Sequence, residues 1–420
     1  MKARVFVSIL VVPLLGIASM SCATPLDDSQ TSIGTSAVVA SSAPSTTTST
    51  TSLPVTTSLP VTTSLPVTTT QPSPAEQLVQ QMDLRQKAAQ VLLLGIDGTT
   101  LSSGTRALLA EGPPAGILLL GHNVTGAAQV AALTAALQQA AVAGGSRVGL
   151  FIAVDQEGGP VQRIRGGTPL IPAARSLGDG FSPEEAGLLA AETAVALLAL
   201  GVNMNLAPVA DVVGDKASFL YRRTYGGDPA KVASFVSAVT EAFARVGLIT
   251  VAKHFPGHGS ATGDTHEGKV VSNATAADFD TIHLPPFEAA IEAGAEGVMM
   301  AHLVAAAYDA QRPASQSPAV VGGLLRGDLG FTGLVVTDDL EMAASGTAQP
   351  GETALAALKA GCDLLIFTGT EAIQSQVLEA IVDAVETGRL ARSRLDQAVL
   401  RVLTLKLRHG IATVPTQTSG

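Results

Sequence analysis

A short stretch near the middle of the chain concentrates side chains that exchange protons near neutral pH. Its fourteen residues include one Lys, three His and one Asp, namely Lys253, His254, His258, Asp264 and His266. Imidazole changes its charge in this pH range, so the cluster is suited to general acid and base catalysis. A zinc site and a purely structural cluster are the other interpretations. The adjoining lysine and the lack of HExxH-like spacing weigh against zinc.

Two carboxylates, Asp338 and Asp339, follow one another at the end of a later apolar run. A short carboxylate held at the end of a rigid strand can attack an electrophilic carbon and form a covalent ester. The two side chains point apart if the strand pattern persists, so one of them is expected to act. The spacing Asp264-Thr265-His266 places its outer side chains on one face if that loop is extended. A carboxylate that lies against an imidazole ring can fix the tautomer of that ring.

The elements that must hold these residues are short apolar runs that alternate with longer helical patterns. Eight runs indicate strands: 91–95, 116–121, 149–155, 202–208, 249–255, 297–303, 334–340 and 363–369. Each is almost continuously apolar, which is typical of parallel strands buried on both faces. Helix starts such as Ser182-Pro183 and Asp228-Pro229 lie between them. Eight β-then-α units predict an α/β fold, a (β/α)8 TIM-like barrel, with a doubly wound sheet as the alternative.

The predicted strands end in polar residues, and strand ends are where a barrel of this class carries its chemistry. Six of the eight ends are ionisable or strongly polar: His122-Asn123, Asp155-Gln156-Glu157, Asp211, Lys253-His254, His302 and Asp338-Asp339. We therefore expect these side chains to meet at one face of the barrel. Glycines at 257, 259, 263 and 268 would let the loop that carries His266 move.

Several segments together resemble glycoside hydrolase family 3, and within it the β-N-acetylhexosaminidases. They are KHFPGHG at 253–259 with Asp264-Thr265-His266, DQEGG at 155–159 with Arg163, Arg223-Thr224-Tyr225, and the segments 337–342, 360–364 and 394–399. KHFPGHG with Asp-x-His is the most specific part, because related β-glucosidases share the Lys-His pair but generally lack the rest. The resemblance extends over residues 76 to 410, which is nearly all of the predicted barrel.

This resemblance implies a retaining β-N-acetylglucosaminidase that removes terminal N-acetylglucosamine from peptidoglycan-derived glycans or muropeptides. It makes Asp338 the nucleophile, His266 the general acid/base and Asp264 the carboxylate that orients His266. The residues expected to bind the sugar are Asp155, Arg163, Arg223, Lys253 and His254. No cofactor and no metal are expected, and the enzyme is expected to be a monomer. If His266 is not the proton donor, Glu157 and Glu267 are the next candidates.

Three other classes of function stay open at this point. One is a family 3 β-glucosidase or phosphorylase, since a neutral imidazole would repel an attacking phosphate less than a carboxylate would. The others are a metal-dependent hydrolase and a non-enzymatic wall-binding lipoprotein, although Asp338, Asp264 and His266 argue against an inert barrel. The net charge of −10 disfavours nucleic acid as a partner, because that would call for a basic surface.

The N-terminal region is expected to direct and tether the protein rather than to fold with it. In residues 1–22, Lys2 and Arg4 precede an apolar stretch that ends in a lipobox-like Ser19-Met20-Ser21-Cys22, so Cys22 is the expected lipidation site. An ordinary secretory signal is the alternative, because Ser19 replaces the usual aliphatic residue. Residues 23–75 are rich in Ser, Thr and Pro and predict a disordered linker. We expect the barrel at 76–412, a tail at 413–420, and an enzyme held at the cell membrane facing the wall or periplasm.

The remaining histidines and the second cysteine receive no catalytic role. His302 ends a predicted strand and is a candidate for the pocket wall, while His283 is expected to be structural. Cys362 lies in an apolar run and is expected to be an inert buried thiol.

Overall fold

Eight parallel strands form a closed barrel in the computed structural model, which describes residues 71–346 and 349–414. The barrel strands are β1 Leu92–Gly95, β2 Gly116–Leu119, β3 Phe151–Val154, β4 Met204–Asn205, β5 Ile249–Phe255, β6 Gly297–Met300, β7 Leu334–Asp339 and β8 Leu364–Phe367. They follow one another around the barrel in chain order, and β1 pairs with β8 to close it. This closure confirms the (β/α)8 prediction and excludes the doubly wound sheet.

Successive residues of a strand pack into two separate apolar cores, because side chains alternate between the faces of a strand. In β1, Leu93 belongs to the core inside the barrel, while Leu92 and Leu94 pack between the strands and the helices. In β8, Leu364 and Ile366 belong to the inner core. Burial on both faces explains why the sequence shows unbroken apolar runs rather than alternating ones.

Helical segments surround the barrel. They are α1 Pro74–Gln81, α2 Leu84–Ala89, α3 Ser103–Glu111, α4 Ala127–Val142, α5 Ala174–Gly180, α6 Pro183–Ala199, α7 Pro229–Val246, α8 Ala276–Asp278, α9 Pro285–Glu292, α10 Pro350–Ala360, α11 Glu371–Glu386 and α12 Arg392–Arg408, with π-helical turns at Phe279–His283 and Ala319–Asp328. The two predicted caps are present, since Ser182 Oγ accepts the Glu185 N–H at 3.2 Å and Asp228 Oδ1 accepts the Lys231 N–H at 2.9 Å. None of these described helices is long and apolar enough to cross a membrane.

The first helix begins inside the segment that composition assigns to the linker. Helix α1 starts at Pro74 because Ser73 and Glu76 form a capping box, with N–H to side-chain distances of 2.7 and 3.3 Å. Leu78 and Val79 are buried, and the helix packs against α12. The predicted signal segment, Cys22 and residues 23–70 of the predicted linker lie outside the described residues, as do residues 415–420 of the tail.

Helix α12 forms hydrogen bonds with residues that precede three of the strands, at the end of the barrel where the strands begin. Lys406 is fully buried there, and its Nζ donates to Gln90 Oε1 and to the Gly149 carbonyl, both at 2.8 Å. Gln90 precedes β1 and Gly149 precedes β3. Arg401 on the same helix donates to Asp363 Oδ1 at 3.0 Å, just before β8. Burial holds the pKa of the Lys406 amine well below its usual value. One helix therefore fixes the starts of three strands.

Candidate active site

A cavity of about 230 Å³ opens at the end of the barrel where the strands finish. Its lining consists of Asp155, Glu157, Val161, Arg163, Phe219, Arg223, Lys253, His254, His258, Thr265, His266 and Asp338. The structure thus brings together seven of the eight predicted site residues, including all five expected to bind the sugar. The eighth, Asp264, is not in the lining and contacts His266 instead.

Asp338 stands at the end of β7 with one carboxylate oxygen held by the backbone. Its Oδ1 accepts the N–H of Asp339 at 2.8 Å, and no described residue donates to its Oδ2. Burial alone would raise the pKa of Asp338. The fields of His254 and His302, with this hydrogen bond, outweigh burial and hold the pKa below its usual value. Asp338 is therefore ionised at neutral pH, as a nucleophile must be.

Asp339 turns away from the cavity, which agrees with the expected alternation. Its Oδ1 accepts the Glu341 N–H at 3.1 Å, and its Oδ2 accepts the Thr368 hydroxyl. His302 does not line the cavity, so that expectation is wrong. The ring is buried, with Nε2 donating to the Asp339 carbonyl at 2.9 Å and Nδ1 2.8 Å from the Ser315 hydroxyl. His302 therefore fixes the backbone carbonyl of Asp339 at the end of β7.

A buried ion-pair network forms one wall of the cavity. Glu157 accepts two hydrogen bonds from Arg223, at 2.7 and 2.9 Å, and its Oε1 lies 2.8 Å from Lys253 Nζ. The same Lys253 nitrogen donates to Asp155 Oδ1 at 2.5 Å, and Arg163 Nη2 lies 3.8 Å from Asp155 Oδ2. The Glu157 and Lys253 side chains are only 3% and 2% exposed. The expected sugar-binding cations are thus also the counterions of two carboxylates.

Glu157 is the main residue whose role the sequence did not reveal. Burial alone would raise the pKa of Glu157, but Lys253 and Arg223 outweigh it and hold the pKa far below its usual value. The carboxylate is therefore ionised and cannot donate a proton near neutral pH, which removes it as the fallback donor. The sequence feature that could have placed Glu157 in the site is its spacing from Asp155, since residues two apart at a strand end point the same way.

Asp211 holds two parts of the site with one buried carboxylate. Its Oδ2 lies 2.7 Å from His254 Nδ1 and accepts the His254 N–H at 3.2 Å. Its Oδ1 accepts the N–H groups of His258 and Gly259, at 2.5 and 3.4 Å. Burial would raise the pKa of Asp211, but His254 and His258 outweigh it and lower the pKa. The sequence showed Asp211 only as a strand end, because its partners come from the next strand and loop.

Asp264 and His266 form the predicted pair, although not with the predicted backbone. Asp264 Oδ1 lies 2.6 Å from His266 Nδ1 and accepts the His266 N–H at 2.9 Å. The second bond closes a turn, so the expectation of a locally extended loop is wrong. The His266 side chain is 62% exposed, and its ring lies edge-on to Phe219 with the centroids 6.5 Å apart. The pairing leaves Nε2 available for proton exchange.

The glycines of the segment 257–268 differ in how closely they are packed. Gly257 and Gly259 at its start lie against other residues, whereas Gly268 at its end does not. A Cβ on Gly257 would lie 2.7 Å from the His283 Cβ, and one on Gly259 would lie 2.2 Å from the Val212 carbonyl oxygen. A Cβ on Gly268 would meet nothing within 4 Å. The first two glycines are therefore required by packing, and any loop motion must begin beyond them.

The remaining predictions concern metal binding and the other side chains. In residues 71–346 and 349–414, no group of three or more His, Cys, Asp or Glu side chains is arranged to hold a metal ion. His283 is buried with its ring edge-on to Phe279, which agrees with a structural role. Cys362 is fully buried with its Sγ 3.3 Å from the Ser315 carbonyl, and burial raises the pKa of the thiol well above its usual value. The predicted burial of this thiol is confirmed, and the raised pKa agrees with an unreactive side chain.

Comparison with known proteins shows which family this barrel resembles. Residues 83–405 match the glycosyl hydrolase family 3 N-terminal domain. A β-hexosaminidase from Nitrosomonas eutropha is 34% identical over 318 residues, which cover 73% of this chain and 90% of that protein. A family 3 β-N-acetylglucosaminidase from Paenibacillus superposes with a TM-score of 0.76 at 37% identity, over 81% of this chain and 65% of that one. This chain therefore spans less than two thirds of the Paenibacillus protein.

A β-N-acetylhexosaminidase from Beutenbergia cavernae is similar over its whole length. It superposes with a TM-score of 0.71 at 34% identity, and the match covers 77% of this chain and 98% of that one. The family match extends over most of the present chain and includes every barrel strand described above. The chain therefore belongs to glycoside hydrolase family 3 and is of that family's β-N-acetylhexosaminidase type.

Proposed function

We propose that this protein is a retaining β-N-acetylglucosaminidase that removes terminal N-acetylglucosamine from peptidoglycan-derived glycans. The observation that carries the proposal is that Asp338 from β7 and His266 from the loop after β5 line one cavity. A retaining glycosidase needs a nucleophile and a proton donor on opposite sides of the anomeric carbon. The names of the Nitrosomonas and Paenibacillus relatives support the choice of sugar.

In the first step, Asp338 Oδ2 attacks the anomeric carbon and the glycosidic C–O bond breaks. The departing oxygen takes a proton from Nε2 of His266, and Asp264 stabilises the ring through Nδ1 while that proton is present. The products are the released alcohol and a glycosyl ester on Asp338. The sugar is then bound with inverted configuration.

In the second step, a water molecule gives a proton to His266 Nε2 and its oxygen bonds to the anomeric carbon. The ester C–O bond breaks, so the Asp338 carboxylate is regenerated and His266 is again protonated. Two inversions give overall retention, and every proton is returned without a cofactor.

The polar wall of the cavity would bind the sugar hydroxyls and the N-acetyl group. The Lys253 ammonium has three hydrogens and two carboxylate partners, which leaves one donor for substrate. Arg163 is the most accessible of the cations, with a side chain that is 34% exposed. Asp155 can accept hydrogen bonds from sugar hydroxyls, and His254 is held in a single orientation by Asp211.

We also propose that the enzyme is exported and held at the cell membrane by a lipid on Cys22. This rests on the lipobox-like sequence at 19–22 and on the Ser/Thr/Pro-rich segment that follows it. In that location the natural substrates are cell-wall fragments that carry a terminal N-acetylglucosamine.

The test is product analysis with the purified protein. We expect nitrophenyl β-N-acetylglucosaminide to be cleaved much faster than nitrophenyl β-glucoside, and the first sugar released to be β-N-acetylglucosamine by proton NMR. Added phosphate should not yield a sugar phosphate, and a chelator should not slow the reaction. Preference for the glucoside would indicate a β-glucosidase, a sugar phosphate would indicate a phosphorylase, and an initial α-sugar would exclude the retaining mechanism.

A further inference from the structure

The segment that carries His266 is held firmly at both ends. At its start, Asp211 binds the backbone N–H groups of His258 and Gly259. At its end, Val271–Ser272 pairs with Val304–Ala305, and Ser272 Oγ donates to the Ser260 carbonyl at 3.1 Å. Residues 261–269, called the catalytic loop below, therefore leave and return at almost the same place.

Thr265 is the one residue within 261–268 that is buried, at 2% exposure. It lies between Asp264 and His266, and the His266 side chain is 62% exposed. Thr262, in the same loop, is also exposed. Hydrophobic burial does not explain this pattern, because a threonine contributes little apolar area. Because a buried hydroxyl group needs a hydrogen-bond partner, the position of Thr265 depends on the group that its Oγ1 contacts.

That partner is the ring of His258, which is buried in the wall of the cavity. Thr265 Oγ1 lies 3.1 Å from His258 Nε2, and among the described residues His258 Nδ1 has no hydrogen-bond partner. The backbone of His258 is fixed by Asp211. The Phe219 ring lies edge-on to both imidazoles, with centroids 5.2 Å from that of His258 and 6.5 Å from that of His266.

We propose that the hydrogen bond between Thr265 and His258, supported by the Phe219 ring, holds the catalytic loop over the cavity and so sets the position of His266. This inference rests on the proposed acid/base role of His266. Thr265 is a positioning residue, because it acts through its two neighbours and not on the substrate. A shift of about 1 Å at a reacting group can cost about 100-fold in rate, so losing a contact that sets the position of His266 should slow proton transfer.

The proposal predicts a selective defect rather than a general one. Displacing the loop would move His266 and Asp264 but leave Asp338 on β7 in place. Steps that need a proton would slow, whereas nucleophilic attack on a substrate with a good leaving group would not. A merely structural role of Thr265 would slow all substrates together.

The test uses the full-length chain and two substrates, nitrophenyl β-N-acetylglucosaminide and a β-linked N-acetylglucosamine disaccharide. For Thr265→Val we expect kcat on the disaccharide to fall roughly 10–100-fold, a part of the roughly 10²–10⁴-fold that acid/base assistance supplies. The glycosylation rate of the nitrophenyl substrate should change far less. Thr265→Ser keeps the hydroxyl and should restore the disaccharide rate, and the exposed Thr262→Val is the matched control.

His258→Phe provides a second measurement, because it removes the same hydrogen bond from the other side. The double variant should lose no more disaccharide activity than Thr265→Val alone, and Thr265→Ala replaces the valine variant if that one does not fold. Equal slowing of both substrates, no slowing at all, or additive losses in the double variant would overturn the inference. If His266→Ala itself shows no dependence on the leaving group, the proposed function fails instead, so the two failures are distinguishable.

Discussion

The Oδ1 atom of Asp264 accepts two hydrogen bonds from His266, one from the backbone N–H at 2.9 Å and one from Nδ1 at 2.6 Å. The carboxylate therefore fixes the backbone and the ring of the same residue. Because the His266 side chain is 62% exposed, this contact does more to orient the ring than the surrounding packing does. The pair can keep its internal geometry even when the loop that carries it moves.

Replacing His266 with alanine should slow substrates in proportion to how much their leaving group needs a proton. A nitrophenolate leaves without protonation, whereas a sugar alkoxide does not, so disaccharide hydrolysis should fall by much of the roughly 10²–10⁴-fold expected for acid/base assistance. A glycosyl-enzyme should accumulate with the nitrophenyl substrate, and azide should restore its turnover. Asp264→Asn should show a weaker form of the same pattern. Equal slowing of both substrates without azide rescue would make His266 a binding residue.

Asp338 should be labelled by a slow fluorinated N-acetylglucosamine analogue, and Asp338→Ala should abolish turnover without unfolding the protein. The pKa of Asp338 lies below its usual value, and the group must be ionised to attack. Its ionised fraction therefore stays high as pH falls to about 4, near the ordinary Asp pKa of about 3.9, and drops only below that. A profile of kcat/KM against pH should show no acid-side loss from this group above about pH 5. Labelling of Asp339 by mass spectrometry would reject the assignment.

Glu157→Gln should lower the free energy of unfolding by about 3–5 kcal/mol, because it leaves Arg223 and Lys253 buried without their shared carboxylate. The folded-state pKa of Glu157 is lowered, so its stabilising effect is complete above the unfolded value of about 4.3 and is lost as pH falls towards the folded pKa. The difference from wild type in urea unfolding should thus be constant from pH 5 to 8 and shrink in acid.

Glu267→Gln is the matched control, since Glu267 is exposed. It should change neither the urea midpoint nor the ratio of disaccharide to nitrophenyl rates. If Glu157→Gln instead shows the leaving-group dependence expected of His266→Ala at unchanged stability, the proton donor has been assigned to the wrong residue.

Cys22→Ala should release the protein from the membrane without changing its rate constants on soluble substrates. The proposed lipid attachment at Cys22 supplies the membrane contact, so a variant without this residue has no site for the anchor. Stable anchoring takes more than one acyl chain, because a single chain binds a membrane only marginally. A chain that begins at Gln71, which keeps the Ser73 cap of α1, should have the same kcat and KM as the full-length protein. Membrane fractionation of the cysteine variant at wild-type levels would contradict the lipobox interpretation.

The barrel could be predicted because each strand is buried on both faces and each polar strand end contributes to one rim. Asp155, Lys253, His254 and Asp338 line one cavity for that reason. Arg163, Arg223 and His266 reach the same cavity from loops, and only the family resemblance predicted their roles. Glu157 and Asp211 were predicted only as polar strand ends, and their structural roles were not recognised. The role of a buried carboxylate depends on the cations and N–H groups around it, and these come from other strands and loops. The turn at Asp264 was missed because a side-chain to backbone hydrogen bond decided the local conformation.

The pairing of β1 with β8 has a consequence for how the protein is made. Residues 92–94 pair with residues 365–367, so one edge of β1 stays unpaired until residues 365–367 have been synthesised. An open strand edge is a template for pairing with other chains. Helix α12, which carries Arg401 and Lys406, is synthesised later still. Its hydrogen bonds to the residues that precede β1, β3 and β8 therefore form last. A ribosome that stalls before residue 364 would therefore release a product prone to aggregation rather than a smaller working enzyme.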